Sequence, residues 1–296
     1  LFGLGIYQLN LLISRAFASY LPSGSVTYVY YSERLMELPL GVIAVTFATV
    51  NLPTLASYAS EEKWQNFNDT LHRGLRGVLF LCIPASFGMF VLREPLILSL
   101  FQRGYFTYQD AVLCAHIFGP AAFGLIFAGA LRNLTPAFYA MKETKIPVKI
   151  ALFSLILNAS LSTFLAFQTK LSLFGSTVYV GMGFQAMGLT VANGLSAFGS
   201  VLFSVYYLRK KIPEAPSFEF HRFIPPLFVA SGFMAAALWP MVEAIAWKGL
   251  STISRFFWLF SLVTVGSLIF IVLAWMLKIP ETTQVLQKIR RRIWKK

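Results

Sequence analysis

The residues best suited to chemistry in this sequence lie in the segment Ser32-Glu33-Arg34-Leu35-Met36-Glu37-Leu38-Pro39. On a helix, Glu33 and Glu37 stand four apart and Arg34 and Glu37 three apart, so the three charges share one face. The segment opens a long apolar run at 38–58. Ionisable groups beside hydrocarbon are costly and normally face a bundle interior or a water-filled cavity. A guanidinium placed there can take a phosphate through two parallel hydrogen bonds, with Glu33 and Glu37 orienting it. The same spacing also suits an interfacial salt-bridge cluster that caps the helix. Spacing alone leaves both readings open.

Other polar groups fall inside apolar runs. Arg132 lies several residues before the end of its run. A lone arginine there either snorkels to the interface or faces a cavity, and the cavity is the favoured reading. Arg15 lies near the end of the first run, where snorkelling is favoured. Lys149, beside Pro147, opens a run and suits a positive-inside anchor. Asn158, Ser160, Ser162 and Gln185 could bind an ion, although linking helices by hydrogen bonds is the commoner role.

Enzyme chemistry has little to work with. Three His and two Cys (Cys82 and Cys114) are scattered without metal-ligand spacing. No phosphate-loop lysine motif, HExxH or GxSxG occurs. We expect no enzyme, no metal and no cofactor. A net charge of +13 would suit nucleic acid in a soluble chain. Here 57% of residues are hydrophobic and only 12% charged, so a bilayer is the expected partner and nucleic acid is not.

The elements that must position these groups are membrane helices. A bilayer core about 30 Å thick needs roughly 20 apolar residues per helix. Eight stretches qualify, at about 1–21, 38–58, 74–92, 111–140, 147–168, 178–208, 223–246 and 255–277. The strict alternation of barrel strands is absent, so the expected fold is an all-α integral membrane protein. Loops after the even-numbered spans carry 17 Lys and Arg and the opposite loops carry 6, with Arg15 and Arg132 inside spans. That bias places the even loops and the C-terminus in the cytoplasm. Segment 59–73 is expected to form a short interfacial helix with Trp64, Phe67 and Leu71 on one face. The basic tail QVLQKIRRRIWKK reads as a second one, attracted to anionic membrane lipids. Gly181, Gly183, Gly188, Gly194 and Gly199 should let helices approach closely. The chain opens at Leu1 within an apolar run, and we expect it to be the C-terminal part of a longer polypeptide.

Several motifs together resemble the bacterial lipid II flippases called MurJ or MviN, of the multidrug/oligosaccharidyl-lipid/polysaccharide exporter superfamily. They are Gln8-Leu9-Asn10, Leu21-Pro22-Ser23-Gly24-Ser25 running to Tyr30-Tyr31-Ser32-Glu33-Arg34-Leu35-Met36-Glu37, Pro39-Leu40-Gly41, Ala48-Thr49-Val50-Asn51-Leu52-Pro53, Phe101-Gln102-Arg103-Gly104, and Leu134-Thr135-Pro136-Ala137-Phe138-Tyr139-Ala140 with Pro147-Val148-Lys149. The resemblance implies fourteen helices, of which this chain supplies the last eight. These would be a second six-helix lobe at 1–210 and, at 211–296, an extra pair forming a groove for a lipid tail. An N-terminal lobe of the same polypeptide is the implied partner. The implied activity is moving lipid II, an undecaprenyl-pyrophosphate-linked precursor of peptidoglycan, from the cytoplasmic to the outer face of the inner membrane by alternating access. The family's cavity arginine falls on Arg34, its acidic neighbours on Glu33 and Glu37, and further basic positions near Arg132 and on Lys149. Some members resembling this chain bind sodium between the helices that match spans one and five. Asn158 fits that site, but Ser14 and Ser162 stand where acids are expected, so Ser14, Asn158 and Ser162 are retained as a candidate ion site, with another coupling ion or membrane potential as the alternatives to sodium. Another carrier of the superfamily, a polysaccharide-lipid flippase or a drug exporter, and a non-transporting membrane scaffold are the alternatives.

Overall fold

The computed structural model describes residues 12–167, 169–173, 176–180, 182–212 and 220–282, and the basic tail lies outside the described residues. Helix α1 is described over 12–19. It is followed by α2 (Ser25–Ser60), α3 (Trp64–Val91), α4 (Arg93–Phe101), α5 (Tyr108–Ala121), α6 (Gly124–Ala140), α7 (Lys145–Ala166), a hairpin of β1 (Thr169–Leu173) and β2 (Ser176–Val180), α8 (Gln185–Lys211), α9 (Phe220–Glu243) and α10 (Thr252–Met276).

Among the described residues, five helices are long and apolar enough to cross a membrane, and the bent pair α5–α6 makes a sixth. Helix α2 has 36 residues, or about 54 Å at 1.5 Å per residue, more than a bilayer core needs. The all-helical membrane fold is as expected, and five to six of the eight expected spans are matched among the described residues; α1 is described over only 12–19. Their boundaries shift in places. The run expected to span from 178 begins as strand β2, and the helix starts only at Gln185. β1 and β2 pair antiparallel, Lys170 opposite Tyr179. The segment expected to lie flat at 59–73 is instead the first third of α3 from Trp64 onward. Its apolar face packs into the core, with Phe67 and Leu71 buried.

The loop before α2 turns at Gly24, whose φ of 91° needs a residue without a Cβ. Thr107 caps α5, accepting from the Asp110 amide while Asp110 accepts from the Thr107 amide. Tyr28 of α2 donates to the same Asp110 at 2.7 Å, so the cap also docks α2. Between α5 and α6 the chain bends by 50°, flanked by Gly119, Pro120 and Gly124. Proline brings no N–H and glycine no side-chain support, so the ladder breaks there.

The core lies where α2, α3, α5 and α6 meet, around Leu35, Phe67, Ile83, Phe118 and Phe138. The outer face of α10 leaves Ile253, Phe257, Phe260 and Trp275 exposed, as a lipid-facing helix should. The segment after α10 is tied back by Arg76, which bonds Glu281 at 2.7 Å and lies over the Phe223 ring.

Glycines set the tightest approaches. A Cβ on Gly188 of α8 would lie 2.6 Å from the Leu165 carbonyl carbon of α7. A Cβ on Gly199 would lie 2.6 Å from Leu157. Close packing was expected for both positions and is present; Gly181 lies outside the described residues.

Candidate functional site

A cavity of about 500 Å³ opens between α1, α2, α6, α7 and α8. Its wall is largely small and apolar. The polar exceptions are Ser14 of α1, Ser32, Glu33 and Glu37 of α2, Arg132 and Thr135 of α6, Ser154 of α7, and Thr190, Asn193 and Ser196 of α8. Gly124 and Gly194 meet in the same wall. Each helix contributes one face, and α6 and α8 touch at these glycines.

The charged cluster expected from spacing is assembled as a cluster. Arg34 Nη1 donates to Glu37 Oε2 at 2.7 Å, one turn along α2. The Arg34 guanidinium lies 5.1 Å from the Tyr30 ring centroid. Glu33 and Glu37 line the cavity; Arg34, expected to lie in it, is not among the lining residues and has 53% of its side chain exposed. The structure thus divides the segment, with the carboxylates in the cavity wall and the guanidinium outside it.

Arg132 lines the cavity, as favoured from its depth in the span. Lys149 does not. It is exposed, and its ammonium lies 6.0 Å from the Tyr207 ring across α7 and α8. The neighbouring Pro147 and Ile150 line the cavity in its place.

Ser14, Asn158 and Ser162 come together although 144 residues separate the first two. Asn158 Nδ2 donates to Ser14 Oγ at 3.5 Å and to Asn193 Oδ1 at 3.4 Å, and Ser162 Oγ donates to Asn158 Oδ1 at 2.9 Å. The oxygens of this knot are, among the described residues, all neutral. Among the described residues no group of three or more His, Cys, Asp or Glu could hold a metal.

Sequence reasoning missed three members of the site. Asn193 completes the polar knot from α8. Arg15, read as a snorkelling residue, instead turns toward α2, with Nη2 3.6 Å from Glu33 Oε2. Its guanidinium lies 5.3 Å from the Tyr30 ring centroid, so Tyr30 carries two arginines. The signal for Arg15 was available in one respect. With Arg132 it is one of the two basic residues assigned to no loop, and Arg132 also reaches the site.

A family model described as lipid II flippase MurJ matches residues 1–261. A protein of Haemophilus influenzae named probable lipid II flippase MurJ is 30% identical over 281 residues, covering 91% of this chain and 51% of that protein. The protein of the same name from Vibrio cholerae is 31% identical over 275 residues, covering 90% and 48%. The Bdellovibrio bacteriovorus protein is 40% identical over 168 residues, covering 57% and 32%. This chain therefore spans about half the length, or less, of these curated relatives. Among solved structures, a lipid II flippase MurJ in an inward closed conformation superposes with a TM-score of 0.70 at 23% identity, over 92% of this chain and 51% of that one. A multidrug resistance MATE family transporter in an outward-facing conformation gives 0.57 at 13% identity, over 96% and 64%. At these identities the solved structures bear on the fold.

Proposed function

This chain belongs to the lipid II flippase MurJ family, and from that premise we propose that it is the cargo-binding second lobe of a flippase for lipid II. The substrate is carried from the cytoplasmic to the outer face of a bacterial inner membrane. Residues 1–210 form the lobe and 211–296 the added lipid-facing pair. An N-terminal lobe of the same polypeptide faces the exposed side of Arg34. Even loops and the C-terminus are cytoplasmic, which the 17 to 6 distribution of basic residues supports.

The observation that carries this reading is the charge gathered at the cavity: Glu33, Glu37 and Arg132 in its wall, and Arg34 beside Glu33 on α2. Arg34 is held by Glu37 and Tyr30 yet half exposed, so it keeps donors for an incoming phosphate. Arg132 adds a positive charge inside the cavity. Lys149 stays clear of the wall and serves as an anchor. No covalent bond forms or breaks; the lobes rock about the bound headgroup.

Ser14, Asn158, Ser162 and Asn193 satisfy one another with neutral groups, which supports a drive by membrane potential rather than by a cation held there. An inside-negative potential pushes an anionic headgroup outward by about 2.3 kcal/mol per charge per 100 mV.

The test is complementation of a flippase-depleted bacterium by the full-length gene carrying Arg34→Ala. We expect lysis at normal expression. Normal growth would remove Arg34 from the substrate site.

A further inference from the structure

Two side-chain amides share a slot in which neither finds a partner. Asn51 belongs to α2 and Asn133 to α6, and Gly74 of α3 lies against both. A Cβ on Gly74 would collide with Asn51 Nδ2 and stand 3.1 and 3.3 Å from Asn133 Nδ2 and Oδ1. Both amides therefore crowd one point, which is open only because residue 74 has no side chain. Asn133 is 2% exposed. Asn51 Nδ2 and both amide atoms of Asn133 are buried without a hydrogen bond.

A primary amide can donate twice and accept twice, and burying one without partners is costly. Leucine has nearly the same size and carries no such cost. A polar group left unpaired inside a native fold therefore calls for a reason. The Asn51 donor and the Asn133 acceptor already face the same slot. What keeps them from bonding is where α2 and α6 stand, not a lack of complementary groups. A small turn of α6 toward α2 would bring them to about 2.7–3.2 Å, the range of an N–H···O bond.

Asn133 cannot turn alone. Arg132, the residue before it, lines the cavity. Successive residues stand about 100° apart round a helix, so a turn that closes Asn133 on Asn51 also shifts Arg132 in the cavity wall. Glu33 and Glu37 of the same wall are carried by α2, the helix that holds Asn51. The two amides thus connect the charged helices of the cavity from behind.

We infer that Asn51 and Asn133 form a latch between α2 and α6, open in this conformation and closed in another conformation of the carrier, with Gly74 providing the gap in which it closes. Closing it repositions Arg132 against Glu33 and Glu37. The latch rests on the carrier reading above and adds to it a contact that only one state of the cycle makes.

The experiment follows flipping of lipid II by the full-length protein in vesicles, together with the thermal unfolding midpoint, for the parent, Asn51→Leu, Asn133→Leu and the double variant. Each single variant should flip about fivefold more slowly or worse, at a midpoint equal to or above the parent's. The double variant should stay within about twofold of the slower single one, because either change already removes the bond; independent roles would multiply the losses. The latch is overturned if Asn133→Leu flips like the parent, if its slower flipping comes with a lowered midpoint, or if the two losses multiply. If Asn133→Leu does not fold, the same cycle is run with alanine at both positions, and parent-like flipping or multiplied losses there overturn the latch. A parent that does not flip lipid II removes the carrier reading and the latch with it; a parent that flips beside an equally active Asn133→Leu removes only the latch.

Discussion

Gly124 of α6 and Gly194 of α8 meet backbone to backbone, and a Cβ on Gly124 would lie 3.2 Å from the Gly194 Cα. Both line the cavity, so this contact fixes how closely α6 and α8 stand in its wall. Gly194→Val should force α6 and α8 apart and cost about 1–3 kcal/mol. The readout is a lower thermal unfolding midpoint together with failed complementation. An unchanged midpoint would mean that the helices separate there without penalty.

Glu37→Gln should weaken function more than stability. The Arg34–Glu37 pair is partly exposed, and such pairs contribute about 0–1 kcal/mol. Releasing Arg34 from its orienting carboxylate should nevertheless lower transport severalfold at an almost unchanged unfolding midpoint. Transport equal to the parent's would show that Tyr30 alone orients Arg34.

Arg255 makes the opposite prediction. It is buried at the start of α10 and donates to Gln102 Oε1 at 2.6 Å and to the carbonyls of Trp247, Leu98 and Lys248. Arg255→Met would leave those acceptors buried and unpaired, at a cost of about 1.5–3 kcal/mol. Unfolding should shift downward while flipping by the folded protein stays the same.

Asn133 offers a stabilising change. Its amide nitrogen and oxygen are both buried without a partner, pressed against Gly74 beside Asn51. Asn133→Leu removes a desolvation cost of about 1–3 kcal/mol, so stability should hold or rise. A clear fall would show that these atoms are paired in the membrane.

Sodium replacement tests the drive. Flipping by the full-length protein in vesicles should be unchanged when potassium replaces sodium at constant potential, and should fall when the potential is collapsed. Dependence on sodium would point to a cation bound by neutral oxygens.

The membrane helices were legible because apolar runs of bilayer length are read one segment at a time. The i, i+3 bond of Arg34 to Glu37 was legible for the same reason: it lies within one helix. The knot of Ser14, Asn158 and Ser162 followed from a family resemblance, and no local pattern shows it. Arg15 was misread because its partners, Glu33 and Tyr30, lie on another helix, and depth in a span does not say which way a side chain turns. Helix α4 and the hairpin at 169–180 are too short for a span-length window. The continuation of α3 back to Trp64 was hidden because polar residues on its exposed face mask a buried one.

The 50° bend between α5 and α6 sets the segment carrying Arg132 at an angle to the segment capped by Thr107. Arg132 lies eight residues beyond Gly124, about 12 Å along the helix. The lower segment is then a short lever pivoted near Ala122. A swing of about 5° carries Arg132 through roughly 1 Å, enough to make or lose a hydrogen bond. The span can therefore stay anchored at its Thr107 end, where Asp110 and Tyr28 lock it, while the charge at the other end changes position.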